Sequence, residues 1–189
     1  MLSKTPVLDK GFVAVMNTSV NDTDIRTLWN KWTLGFDKQL MHMPTIHMRI
    51  KCPLFVQLRF AQFNLHTLVQ RKSRNVEAYL PNEVDVSAKD LEASRAISED
   101  IQRTTEALLL NPKAYQYEAC DTFISQVISP INVYNELIVT GNLQQWVDFI
   151  QQSNIPKPIE AYRAAIEDLL VTEFVTLEKW IKRDDSKKT

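Results

Sequence analysis

Glycine is scarce in this chain of 189 residues: Gly11, Gly35 and Gly141 are the only ones, and no two are near each other. Phosphate cradles of the P-loop and dinucleotide type need clustered glycines so that backbone N–H groups can close on the ligand. Any nucleotide bound here is therefore held by side chains. Cysteine is scarcer still. Cys52 and Cys120 are too few and too far apart for a disulfide framework or a zinc cage, and each reads as a small buried apolar residue. The formal net charge is -1 and the isoelectric point about 6.3, so there is no basic field to draw the chain onto nucleic acid. No apolar run approaches the roughly 20 residues of a membrane span, and the opening MLSKTPVLDKGF lacks the apolar stretch of a signal peptide. The expectation is a protein of a reducing, cytoplasmic compartment, with no nucleic-acid or membrane partner. His42, His47 and His66 have no partner at metal-ligand spacing, so no metal site is expected.

What is present is a clear pattern of elements. VLDKGFVAVM (residues 7–16) reads as a short strand with a turn at Asp9-Lys10-Gly11. Asn21 and Asp22 offer N-cap oxygens to a helix that places Ile25, Leu28, Trp29 and Trp32 on one face and has Gly35 past its end. TIHMRIKC (45–52) alternates strictly, with Ile46, Met48, Ile50 and Cys52 on one side and Thr45, His47, Arg49 and Lys51 on the other, the mark of a half-buried strand. Pro53 ends it and opens a helix over PLFVQLRFAQFNLHTLVQ, carrying Leu54, Leu58, Ala61, Leu65 and Leu68.

KSRNVEAYLPNEVDVS follows as a loop, then a helix from Ala88 to Leu110 with Leu91, Ile97, Ile101, Ala107 and Leu108 inward. Pro112 opens a further helix. INVYNELIVTG is rich in β-branched residues and reads as either a strand or a buried helical segment. LQQWVDFIQQ is a short helix. The last is long, with Ile159, Tyr162, Ile166, Leu169, Leu170, Phe174, Leu177 and Ile181 along one stripe. Together these give one α+β domain over residues 1–183, helices on a small mixed or antiparallel sheet, with 184–189 as a flexible tail.

Chemistry concentrates in FAQFNLHTLVQRKSRN (60–75). Arg71, Lys72 and Arg74 are the one dense group of positive charge, with Ser73 among them. Such a group can hold a phosphate by charge-assisted hydrogen bonds, or can simply be cations placed at a helix C-terminus. Phe60, Phe63 and the four tryptophans are compatible with stacking on a ring, but their helical spacing is that of core residues.

VLDKGFVAVMNTSVND, IHMRIKCPLFVQLRF and SPINVYNELIVTGNLQQWVDFI together resemble the flavin-dependent thymidylate synthases (ThyX-like proteins), and the resemblance runs almost end to end. The family signature is Arg-His-Arg, then seven residues, then Ser, followed by Arg-Tyr. Laid on this chain without gaps from Pro53, the triplet falls on Gln62, Phe63 and Asn64, the Ser on Lys72, and the next Arg on Arg74. The resemblance implies FAD and dUMP as ligands, methylenetetrahydrofolate and NADPH as co-substrates, and a homotetramer with shared sites. It implies Arg74 and Lys72 as substrate-binding residues and Asn142 on the flavin side, and nominates no catalytic residue. Other family arginines fall on Gln126, Gln144 and Ser153. The expectation is a diverged relative in pyrimidine deoxynucleotide metabolism with its ordinary dUMP-to-dTMP activity altered or lost. The alternative is an inactive structural or regulatory subunit, assembled with itself or with a paralogue.

Overall fold

The computed structural model describes residues 4–33, 41–71, 77–79, 88–110, 132–178 and 181. β1 (Lys4–Val7) and β2 (Gly11–Thr18) form a hairpin, so the single expected strand is two strands folded about the anticipated turn. The chain then runs through α1 (Asp22–Thr33), β3 (Thr45–Pro53), α2 (Leu54–Gln62), β4 (His66–Arg71), α3 (Ala88–Leu110), β5 (Tyr134–Asn142), α4 (Leu143–Ile150) and α5 (Lys157–Glu173). INVYNELIVTG thus resolves as a strand. The five strands stand in the order β1-β2-β3-β5-β4, every pairing antiparallel. The α+β domain expected from the sequence is the architecture found.

Two helices start from opposite ends of one strand pair. β3 and β5 pair over their whole lengths, from Thr45 opposite Asn142 to Pro53 opposite Tyr134. β3 passes directly into α2, and β5 directly into α4. The inward residues of β3, Ile46, Met48, Ile50 and Cys52, are fully buried as the alternation required. They form one core with Val56 and Phe60 of α2, Trp146 and Phe149 of α4, and Ile159, Tyr162, Ile166 and Leu170 of α5. Burying that many large apolar side chains, each contributing about 1.5–3 kcal/mol, fixes the sheet against its helices.

Three expectations need correction. The helix after Pro53 does not reach Gln70: it ends at Gln62, the chain turns through Asn64 at φ 55°, and His66–Arg71 is a strand. Left-handed backbone at a non-glycine residue is most readily taken by Asn or Asp, and it breaks a helix. β-branched Thr67 and Val69 then pair along β5. Leu58 and Leu68, read at the spacing of a helical stripe, are 55% and 66% exposed. In α3 the inward stripe is Leu91, Ser98, Ile101 and Gln102, while Ile97 is 61% exposed and Ala107 exposed. Counting seven from Leu91 gives position 98, so Ile97 stands about 100° off the stripe. The long last helix breaks at Phe174, whose φ of -127° and ψ of 85° leave the helical region, although Phe174 and Leu177 remain buried. The Trp32 side chain, Gly35, the expected helix after Pro112, Cys120 and the tail 184–189 lie outside the described residues.

α1 begins as its sequence indicated, on a reciprocal cap: Asp24 N–H donates to Asn21 Oδ1 and Asn21 N–H to Asp24 Oδ2, both at 3.0 Å. At the opposite side of the sheet, a polar clasp joins the hairpin to its neighbours. Tyr134 O–H donates to Asp9 Oδ1 at 2.5 Å, Lys10 Nζ to the Ala78 carbonyl at 3.0 Å, and Lys51 pairs with Glu77. Tyr162 O–H donates to the Lys51 carbonyl at 2.8 Å. Gly11 makes this approach possible. A Cβ there would collide with the Tyr162 hydroxyl and lie 2.7 and 2.8 Å from the carbonyls of Val7 and Lys51.

Two predictions follow from this packing. Gly11→Ala is expected to cost about 2–3 kcal/mol in chemical denaturation, because backbone atoms cannot yield to the added methyl. Combined with Tyr162→Phe, which alone removes one hydrogen bond worth about 1 kcal/mol, the loss should fall short of the sum. Strict additivity would mean that the two groups do not meet.

The second concerns alkali. Burial raises the Cys52 thiol and is the main cause of the rise at Tyr134 and Tyr162; the Asp9 contact adds at Tyr134, and neighbouring negative potential at Tyr162. The unfolded chain releases such protons near pH ~8.5 and ~10, while the folded chain keeps them. The native state therefore binds more protons in alkali, and unfolding free energy should fall as pH rises above about 9. Tyr134→Phe should flatten that fall, and a pH-independent plateau to about pH 11 would contradict the assignment.

Candidate functional site

The triplet positions lie where α2 ends. The Gln62 amide oxygen accepts from Arg59 Nη1 at 2.5 Å, and Arg59 Nε donates to Gln152 Oε1 at 2.8 Å. The guanidinium stands 5.8 Å from the Phe63 ring centre. Phe63 is packed edge-on against Phe149 at 5.6 Å between centroids, and Phe60 meets the same ring at 5.1 Å. The core reading of both phenylalanines therefore holds. Arg59 is a cation with no carboxylate within 4 Å among the described residues, held by two amide oxygens instead.

Asn142 is brought to this turn by α4. It is the N-cap of that helix in a reciprocal box: Gln145 N–H donates to Asn142 Oδ1 at 2.9 Å, and Asn142 N–H to Gln145 Oε1 at 2.8 Å. Gln145 Nε2 also donates to the Asn64 carbonyl at 2.8 Å. One amide side chain thus ties the cap of α4 to the α2–β4 turn. The remaining end of Asn142 faces His42, with Nδ2 3.3 Å from Nδ1 of the ring. Gln144 donates to Asp148 Oδ1 at 2.6 Å.

The structure brings Asn142 and the triplet positions Gln62, Phe63 and Asn64 into one neighbourhood. The sequence reading missed Gln145 and Gln152, which hold it together. The Asn142-x-x-Gln145 spacing before an apolar run was a legible capping-box signal. Lys72, Arg74 and Gln126 lie outside the described residues. Arg71, which precedes them, closes a strand, so the alternative of cations at a helix C-terminus does not describe this segment.

At the far end of α4 is a cleft of about 530 Å³, lined among others by Gln152, Ser153, Asn154, Glu160, Arg163 and Glu167. Arg163 caps α4 by donating to the Ile150 carbonyl at 3.1 Å and pairs with Glu167 at 3.1 Å. Ser153 offers a hydroxyl here but no charge. None of these arrangements suits FAD in the way the family signature does. Gln62 Oε1 and the Asn64 carbonyl have partners within the protein, and the central position is an apolar ring packed on Phe149.

No family model and no curated protein matches the sequence. The fold does match solved structures. The UMP/dUMP methylase PolB from Streptomyces cacaoi bound with 5-Br UMP superposes with a TM-score of 0.70 at 10% identity, covering 92% of this chain and 94% of that one. The same enzyme bound with 5-Br dUMP gives 0.70 at 11% identity, covering 90% and 93%. At such identities the likeness is one of fold. No helix among the described residues is long and apolar enough to cross a membrane.

Asn142→Ala is expected to cost about 1 kcal/mol of stability through loss of the cap, with Asn142→Asp largely sparing it. A melting temperature unchanged in the alanine variant would mean that Asn142 is free for a ligand rather than engaged by the helix.

Proposed function

We propose that the chain is a diverged relative of the flavin-dependent thymidylate synthases, linked to pyrimidine nucleotide methylation, with the ordinary flavin-dependent route altered or lost. The resemblance of its strand, helix and Pro-x-Asn segments supports the family, and the fold likeness to a UMP/dUMP methylase supports the substrate class. The observation that carries the loss is the engagement of the triplet positions: Gln62 holds Arg59, Phe63 packs on Phe149, and the Asn64 carbonyl is taken by Gln145.

Magnitudes favour the same reading. A hydrogen bond from a charged group is worth about 1.5–3 kcal/mol, so losing two such contacts weakens binding by roughly two to four orders of magnitude. Gln, Phe and Ser do not neutralise a phosphate. Lys72 and Arg74 are the cations proposed to meet the phosphate of a dUMP-like nucleotide. In an active enzyme, methylenetetrahydrofolate and NADPH would be the co-substrates. The engaged triplet equally favours a second reading, an inactive structural or regulatory subunit in a homo-oligomer or with a paralogue.

Protein mixed with FAD and dUMP and then desalted is expected to retain no visible flavin absorbance. Lys72→Ala and Arg74→Ala should each weaken dUMP binding about tenfold, as loss of one charge-assisted contact predicts. Absence of dUMP binding in the unaltered protein would leave the subunit reading alone. Stoichiometric flavin retention together with dTMP formation would overturn the loss of the ordinary route.

A further inference from the structure

All three histidines, unrelated in spacing along the sequence, gather at one end of the sheet. Residues directly opposite in an antiparallel pair share a face. Asn17, His47, Thr140 and His66 are opposite one another in turn, so they form a single row across β2, β3, β5 and β4. That face is turned away from the helical core, because the inward residues of β3 are Ile46 and Met48 on either side of His47. Thr140 stands between the two imidazoles, its Oγ1 2.9 Å from His47 Nδ1. Strands lie about 4.8 Å apart, so the His47 and His66 backbones are about 10 Å apart, close enough for two outward rings to reach one phosphate group. His42 joins them from the end of β5 through its contact with Asn142.

The electrostatic surroundings leave these rings available. His42 and His66 are exposed and His47 is half-buried. Among the described residues no carboxylate lies within ion-pair distance of any of the three. On β3 the next residue of the same face is Arg49, whose guanidinium is paired with Glu136 of β5. On β2 the row ends in neutral Asn17, and on β4 Arg71 stands at the far end of the strand, opposite Glu136. The one acid of α4, Asp148, takes the Gln144 amide. The described residues contain no group of three His, Cys, Asp or Glu arranged to hold a metal ion.

We propose that the histidine row is a binding site for a phosphate-bearing anion, met by imidazole N–H donors. With His47 Nδ1 engaged by Thr140 Oγ1, Nε2–H is the donor left to face the anion. His66 supplies a second donor from the other side of Thr140. The only permanent cation of the adjoining row, Arg49, is already matched by Glu136, so the donors this part of the face leaves to a ligand are the imidazoles. This site stands on its own side chains and requires neither flavin nor a pyrimidine.

Inorganic pyrophosphate tests it, by calorimetry and by imidazole nitrogen NMR, where three histidines give three resolvable rings. The expected result is saturable binding, with the His47 and His66 signals shifted most by the ligand. His47→Gln with His66→Gln should weaken that binding at least about tenfold. No detectable binding, or imidazole signals that do not respond, would overturn the site, and the spectra of the unaltered protein decide the matter even if the double variant folds poorly. dUMP run in parallel separates this inference from the proposed function, since dUMP binding that ignores both histidines would leave that function standing without this site.

Discussion

The pairing of β3 with β5 is the constraint on which the rest of the molecule depends. Their register runs unbroken from Thr45 opposite Asn142 to Pro53 opposite Tyr134. Because the strands are antiparallel and each passes directly into a helix, α2 and α4 are launched from opposite ends of the same pair. Phe60 and Phe63 are thereby carried to Phe149, and Asn64 to Gln145. A shift of one residue would turn Ile46, Met48, Ile50 and Cys52 to the opposite face and separate these partners. Register is therefore the common cause of the core and of the candidate site.

That dependence leaves the fold indifferent to the chemistry carried at the end of α2. Gln62, Phe63 and Asn64 occupy the end of a helix whose position is set by Val56 and Phe60 beneath it. Nothing in the strand pairing requires a cation at those positions. An aromatic ring in the middle one gains an apolar partner in Phe149, whereas an imidazolium there would need a counter-charge that the described surroundings do not provide. Arg59 shows the reverse arrangement, retaining its charge at the edge of the packing by donating to two amide oxygens. The polar groups of this neighbourhood answer one another, which makes it a stable joint between helices.

How much of this could be read from the sequence depended on whether the signal was local. β3 was legible from its alternation, α1 from its cap, and α4 from an apolar run, since each is specified within about ten residues. The end of α2 was misplaced because Leu58, Leu65 and Leu68 imitate a helical stripe, and only the left-handed backbone of Asn64 and the pairing of His66–Arg71 along β5 reveal the break. Likeness to a family singled out the triplet positions and Asn142 separately; the physical link between them, the Gln145 amide, spans from α4 to the α2–β4 turn. The histidine row had no signal at all, because cross-strand neighbours such as His47 and Thr140 are set by tertiary register and not by spacing.

Two faces of one strand pair thus bear different burdens. Residues 46, 48 and 50 of β3 are fixed by the core, and a polar substitution there would leave a buried group without partners. Residues 47, 49 and 51, one step away in sequence, meet solvent and one another's charges, so their identities can change at little cost to the fold. On that freer face Arg49 is matched by Glu136 and Lys51 by Glu77, which leaves the row of His47, Thr140 and His66 as the part that no carboxylate among the described residues meets. A strand pair held rigid by its inner face is a precise support for whatever its outer face presents, and the imidazoles occupy the end of that support nearest the cap of α4.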